Sequence, residues 1–201
     1  MADHDARPAL TVVLGSATPP GRLHRALAEA VGRTGGRWAV DAALLDLATL
    51  PFSPADGRPP EDHGVELLGA VDAVAAADAV VLATPVYRGS LTGVLKNLLD
   101  HLPVEALRGT PTAIAAMGAS DHHYLGAERH LRDVLAFFGA LVTPTAVYLT
   151  SADFRDGAPG PRAAAELDEA IDAVLELERR LRGAAPLGPA PLAGRPRGAP
   201  A

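Results

Sequence analysis

Three short stretches hold most of the residues whose types and spacing could do chemistry. Residues 15–24 read Gly-Ser-Ala-Thr-Pro-Pro-Gly-Arg-Leu-His, with hydroxyls at Ser16 and Thr18 and a cation at Arg22, just ahead of a helical pattern. Free backbone N–H groups and the helix dipole make such a start attractive to an anion, and Arg22 would add a charge-assisted contact to a phosphate. The same residues also suit a plain strand–helix turn, with Ser and Thr as caps and Arg22 in solvent; this loop alone does not separate the two. It lacks the G-x-G-x-x-G and G-K-[ST] patterns of other phosphate loops. Residues 84–90 set Pro85, Val86 and Tyr87 directly after an apolar run. A stiff apolar and aromatic platform, with backbone polar groups beside it, suits a flat heterocycle; Tyr87 packed on the next helix is the alternative. Residues 118–124 bring Asp121, His122 and His123, with His130 beyond. Adjacent loop histidines rarely share one ion, so no metal is expected. No G-x-S-x-G elbow occurs and no serine has a readable His and Asp relay, so triad hydrolysis is not supported.

These loops need a scaffold, and hydrophobic periodicity supplies one. Residues 10–14 (LTVVL) form a β-branched run that reads as a buried strand, followed by a helix over 22–33. Residues 38–47 read as a second strand, 51–64 as a long polar loop and 65–77 as a helix. Residues 78–83 (DAVVLA) are the clearest buried strand in the chain. A helix over 91–102 follows, then a strand over 112–117, a helix over 126–138, a strand over 141–150 and a last helix over 163–182. Pro144 inside the fifth strand argues for a bulge or an edge position. Five alternations of strand and helix predict a parallel sheet with helices on both faces. Five strands suit the flavodoxin-like order, a three-layer α/β sandwich, better than the six of a full dinucleotide-binding fold. In that order the first, third and fourth strands are neighbours, so the three loops converge beyond their carboxyl ends.

Composition sets the limits. The chain has 201 residues, enough for one domain with a real core. The expected domain spans 10–183, between a disordered start (1–9) and a disordered tail rich in Pro, Gly and Ala (184–201). A formal net charge of −6 without a dense Lys/Arg patch offers nothing to nucleic acid. The absence of cysteine excludes disulfides and thiolate chemistry. No apolar run approaches the ~20 residues that span a bilayer, and the polar, acidic MADHDARPAL lacks the pattern of a signal peptide. A cytoplasmic protein is expected.

Residues 83–103, ATPVYRGSLTGVLKNLLDHLP, closely resemble the signature of the NADPH-dependent FMN reductases. The likeness is strongest to the branch that feeds reduced flavin to two-component monooxygenases, as in alkanesulfonate utilisation. LGSATPPGR resembles that family's phosphate loop, and residues 117–144 follow it too. The resemblance implies non-covalent FMN and hydride transfer from NAD(P)H to the flavin. It would place the FMN phosphate on Ser16, Thr18, Arg22 and Leu23, and the isoalloxazine against Pro85, Val86 and Tyr87, with Gly118, Ala119 and Ser120 closing the site. Since the cofactor carries the chemistry, no catalytic side chain is expected. It also implies a homodimer or homotetramer, for which Leu91, Leu98 and Leu102 offer a partner-facing line on their helix. Two departures stand out: the family commonly has hydroxyl residues where this chain has Leu23 and His24, and often Gly-Gly where it has Gly118-Ala119. Two alternatives keep the scaffold: an FMN-retaining quinone, azo-dye or metal-ion reductase, and a non-catalytic flavodoxin-like electron carrier.

Overall fold

The computed structural model describes residues 7–18, 20–185 and 187–189. Of the expected disordered start (1–9) and tail (184–201), residues 1–6, 186 and 190–201 lie outside the described residues, whereas Ala9 already belongs to the first strand, its N–H donating to the Asp78 carboxylate.

The central strands are continuous apolar runs, as burial on both faces requires. They are β1 (Ala9–Leu14), β3 (Ala79–Pro85) and β4 (Pro111–Met117). β2 (Asp41–Asp46) flanks β1 at one edge. At the other edge the fifth position is filled by two short pieces, β5 (Leu141–Val142) and β6 (Val147–Leu149), both on β4. The order is β2-β1-β3-β4-β5, with every pairing in this sheet parallel. This is the flavodoxin-like arrangement of five strand positions that the alternation of elements predicts.

The helices divide between the two faces. α1 (Arg22–Thr34) and α5 (Pro161–Leu181) cover one face, burying Leu23, Leu27, Leu167 and Ile171 against Val12 and Val81. α2 (Val65–Ala75), α3 (Gly93–His101) and α4 (Tyr124–Phe138) cover the other, burying Val71, Leu95, Leu98 and Leu131 against Val80, Leu82 and Ile114. Among the described residues no helix is long and apolar enough to cross a membrane.

Several boundaries differ from the sequence reading. The second strand begins at Asp41 rather than at Trp38, because Arg37 and Trp38 donate their N–H groups to Thr34 O and close α1. The predicted strand over 141–150 breaks where Pro144 sits. Five residue steps separate Val142 from Val147, against three from Thr112 to Ala115 on β4, so the outer chain bulges there. The loop before α5 holds an unanticipated antiparallel hairpin, β7 (Phe154–Arg155) and β8 (Ala158–Pro159).

The partner-facing line on α3 does not exist as expected. Leu98 is 2% and Leu102 7% exposed, both inside the core beneath α2, α3 and α4, and Leu91 packs against that core. The helix lies close enough to its neighbours for the whole stripe to be used. The large apolar side chain left open nearby is Phe137 on α4. Leu98→Glu is therefore expected to abolish folding, since it places an unpaired charge in the core. Circular dichroism and soluble yield check this; a folded Leu98→Glu protein would contradict the packing.

Candidate functional site

The chain leaves β1 at Gly15, and this peptide is held on both sides. Its N–H donates to Ala83 O on β3 at 2.7 Å, and its carbonyl accepts from the Thr92 hydroxyl at 2.6 Å. A Cβ at Gly15 would lie 2.5 Å from Leu95 Cβ, so glycine is what fits. Thr92 is the N-cap of α3, its hydroxyl accepting from Leu95 N, and its N–H donates to Thr84 Oγ1. The loops after β1 and β3 are thus fastened through one buried threonine.

In the first loop Ser16 Oγ and Thr18 Oγ1 lie 3.0 Å apart. α1 then opens with Gly21 as N-cap, with no side-chain cap and no acidic residue in its first turn. Its leading N–H groups lack intrahelical partners, and the positive end of its dipole is not offset. Arg22 is exposed, its guanidinium 5.8 Å from the centre of the Phe154 ring on the β7–β8 hairpin. That hairpin is anchored by Asp153, which accepts from Thr150 N and pairs with Arg162. Burial alone would push the Asp153 carboxyl up, but these contacts hold it below the usual range. The Leu23 side chain is buried between α1 and the sheet, so it offers the loop only its backbone.

The second loop is a tight reversal. Tyr87 N and Ser90 N each donate to the other's carbonyl, and the central Arg88 and Gly89 have φ of 54° and 75°, the sign pattern of a type I′ turn. Gly89 O rests on α4 at Gly126, where a Cβ would overlap it. Ser90 Oγ also meets His130 Nδ1 at 2.7 Å. Held this way, Tyr87 stays 48% exposed instead of packing into the following helix. The third loop is tied on by Val86 N to Met117 O, Gly118 N to Leu149 O, and the Tyr148 hydroxyl to Ser120 O. Burial, helped by the Asp121 charge, raises the Tyr148 phenol, which keeps it a donor.

A cleft of about 250 Å³ opens at these strand ends. Ser16, Thr18, Arg22, Leu23, Pro85 and Tyr87 line it together, as do His24 and Met117. Val86, Gly118, Ala119 and Ser120 are not among its walls; they adjoin it through the Val86–Met117 bond and the third loop. Among the described residues no three His, Asp or Glu side chains gather as a metal site would need.

The profile of the NADPH-dependent FMN reductases matches residues 8–154, which include all three loops. The chain belongs to this family. An NADH-dependent FMN reductase, SfnF, of Pseudomonas fluorescens is 34% identical over 154 residues, covering 75% of this chain and 81% of its own. An FMN reductase (NADPH) of Pseudomonas aeruginosa is 30% identical over 145 residues, covering 72% and 78%. Among solved structures, an apo NADH:FMN oxidoreductase (EMOB) superposes with a TM-score of 0.72 at 25% identity, covering 88% of this chain and 91% of that one.

Within this FMN reductase scaffold the sequence reading named His24 only as a departure from the family, and missed Met117, Thr92, Gly126 and Tyr148. A Thr three residues before Leu95 at a helix start was a readable capping signal for Thr92, whereas Met117 reaches the cleft through its pairing with Pro85, which only the folded sheet shows. Gly126 and Tyr148 carry no local signal, because their roles depend on contacts distant in sequence. Thr92→Val is expected to lower stability by ~1–3 kcal/mol, since Gly15 O loses its buried donor, and Thr92→Ser should retain most of it. Thermal melts of the pair provide the check.

Proposed function

We infer that this chain oxidises NAD(P)H and reduces FMN held in the cleft at the ends of β1, β3 and β4. One observation carries the reading: an uncapped helix N-terminus, two facing hydroxyls and an exposed Arg22 stand beside the Pro85–Tyr87 platform in one cleft. The first set suits a phosphate and the second a flat ring. Membership of the FMN reductase family points the same way.

When bound, FMN supplies the two-electron chemistry that nicotinamide oxidation requires. The protein binds and orients. Ser16, Thr18, Arg22 and the N–H of Leu23 would hold the phosphate. Pro85, Val86 and Tyr87 would carry the ring, with Gly118, Ala119 and Ser120 along its far edge. No side chain has to move a proton, so none is assigned a catalytic role. Stacking the nicotinamide on the ring at near-attack distance would supply the rate advantage. The likeness of residues 83–103 to reductases of two-component systems supports a partner monooxygenase as recipient of the reduced flavin.

The exposed Phe137 on α4, beside Val104 in the groove between α3 and α4, supports association of like chains. Light scattering at micromolar concentration is expected to give a multiple of 20.6 kDa, and the monomer mass would overturn this.

Steady oxidation of NADH or NADPH should depend on FMN; oxidation indifferent to FMN, FAD and riboflavin would refute the reading. Arg22→Ala should weaken FMN tenfold or more, the ~1.5–3 kcal/mol of a charge-assisted contact, while leaving riboflavin almost unaffected. Fluorescence titration of both flavins measures this.

A further inference from the structure

The outward side of α4 carries a regular pattern. Leu125, Arg129, Asp133 and Phe137 recur at intervals of four and are all exposed, Leu125 to 55% and Phe137 to 53%. The opposite side of the helix is spent on the core, where Leu131, Leu135 and Phe138 are buried. Residues four apart are neighbours on a helix surface, so the exposed four form one ridge, ~18 Å long at the rise of an α-helix. Apolar side chains stand at its two ends and opposite charges in its middle.

Within one copy those charges stay apart. Among the described residues neither the Arg129 nor the Asp133 side chain makes an ion pair or a hydrogen bond, although they lie one helical turn from each other. A cation on the N-terminal side of the anion is the weaker order at this spacing. The next charges along the helix are committed: Glu128 pairs with Arg132, which also donates to the Thr143 and Pro144 carbonyls.

A ridge that reads apolar, cation, anion, apolar is its own complement when reversed. Laid antiparallel on a second copy, about a two-fold axis at the level of Leu131, it sets Arg129 opposite the partner's Asp133 and Leu125 opposite the partner's Phe137. The two-fold repeats both contacts with the roles exchanged, which is the property of an isologous interface. Laid parallel, the same ridge would set cation on cation and anion on anion, and like charges face to face exclude that arrangement.

We propose that the outer ridge of α4 binds a second copy of this chain antiparallel, with Arg129 and Asp133 fixing the register, and that the contact reaches the cleft. Leu125 directly precedes Gly126, on which Gly89 O of the second loop rests. It directly follows Tyr124, whose ring meets that of Tyr148 at 6.3 Å. The partner's Phe137, set on Leu125, braces the turn that carries Tyr87 from outside, so each cleft is completed by the other chain. The contact stands on the ridge alone; its effect on the cleft rests on the flavin reading given above.

The test is charge reversal in the full chain, read by light scattering at micromolar concentration. Arg129→Asp and Asp133→Arg each set like charges opposite one another, and each should halve the mass of the unaltered protein. Both positions are exposed, so circular dichroism should show the fold retained. Mixed in equal amounts, the two variants present only opposite charges to each other and should recover the full mass. The double variant Arg129→Asp/Asp133→Arg should recover it alone. Fluorescence titration of FMN should show each single variant weakened at least about fivefold, the low end of coupling between sites, and the mixture restored. Single variants that keep the unaltered mass, a mixture that stays at the halved mass, or an unaltered protein of 20.6 kDa overturns the contact. Single variants of halved mass that bind FMN as the unaltered protein does overturn its reach to the cleft. If the masses follow the charges while none of the proteins binds FMN, the flavin reading fails and the contact stands.

Discussion

The peptide of Gly15 is the constraint on which the site depends. It is pinned between β3, through Ala83 O, and the N-cap of α3, through the Thr92 hydroxyl. With Leu95 pressed against its Cα, the chain has no room to choose another path out of β1. The consequence is geometric. The first loop must begin at one height above the sheet, and the loop that carries Pro85 and Tyr87 is referenced to the same threonine. The Ser16 and Thr18 hydroxyls and the Pro85–Tyr87 stretch belong to different segments of chain, yet their separation is set by three hydrogen bonds and one steric contact.

The rest of the fold extends that logic outward. Parallel strands place all their carboxyl ends on one side, so the three loops meet without any strand reversing. The second loop does not rely on its own rigidity: its turn lies on Gly126 of α4, and Ser90 is bonded to His130 of the same helix. The first loop is backed by the β7–β8 hairpin, where Phe154 receives Arg22. Loops that carry function are usually the mobile parts of a protein. Here each is braced by an element that comes later in the chain, which lets side chains such as Tyr87 stay exposed and still be positioned.

Much of this was legible in the residues. The buried runs LTVVL and DAVVLA announced central strands, and their alternation with helical periodicity gave the sheet its class and order. Loop composition singled out Ser16, Thr18, Arg22, Pro85 and Tyr87, which the fold gathers in one cleft. What was not legible depended on distance in sequence. The α3 leucines looked like a surplus because periodicity counts apolar positions without saying how many neighbours will cover them; α2 and α4 cover nearly all. Leu23 read as part of a loop motif, but its side chain belongs to the core.

The broken fifth strand has a consequence for the protein's behaviour at high concentration. An open parallel sheet ends in a row of unpaired backbone groups, a ready template for another molecule's strand. On this margin the row is interrupted. Pro144 has no N–H to offer, the bulge displaces the chain between Val142 and Val147, and Arg132 claims the carbonyls of both Thr143 and Pro144. What remains are two fragments of two and three residues, separated and out of step. Neither is long enough to nucleate edge-to-edge stacking, so the irregularity guards the native sheet against aggregation along its outer flank.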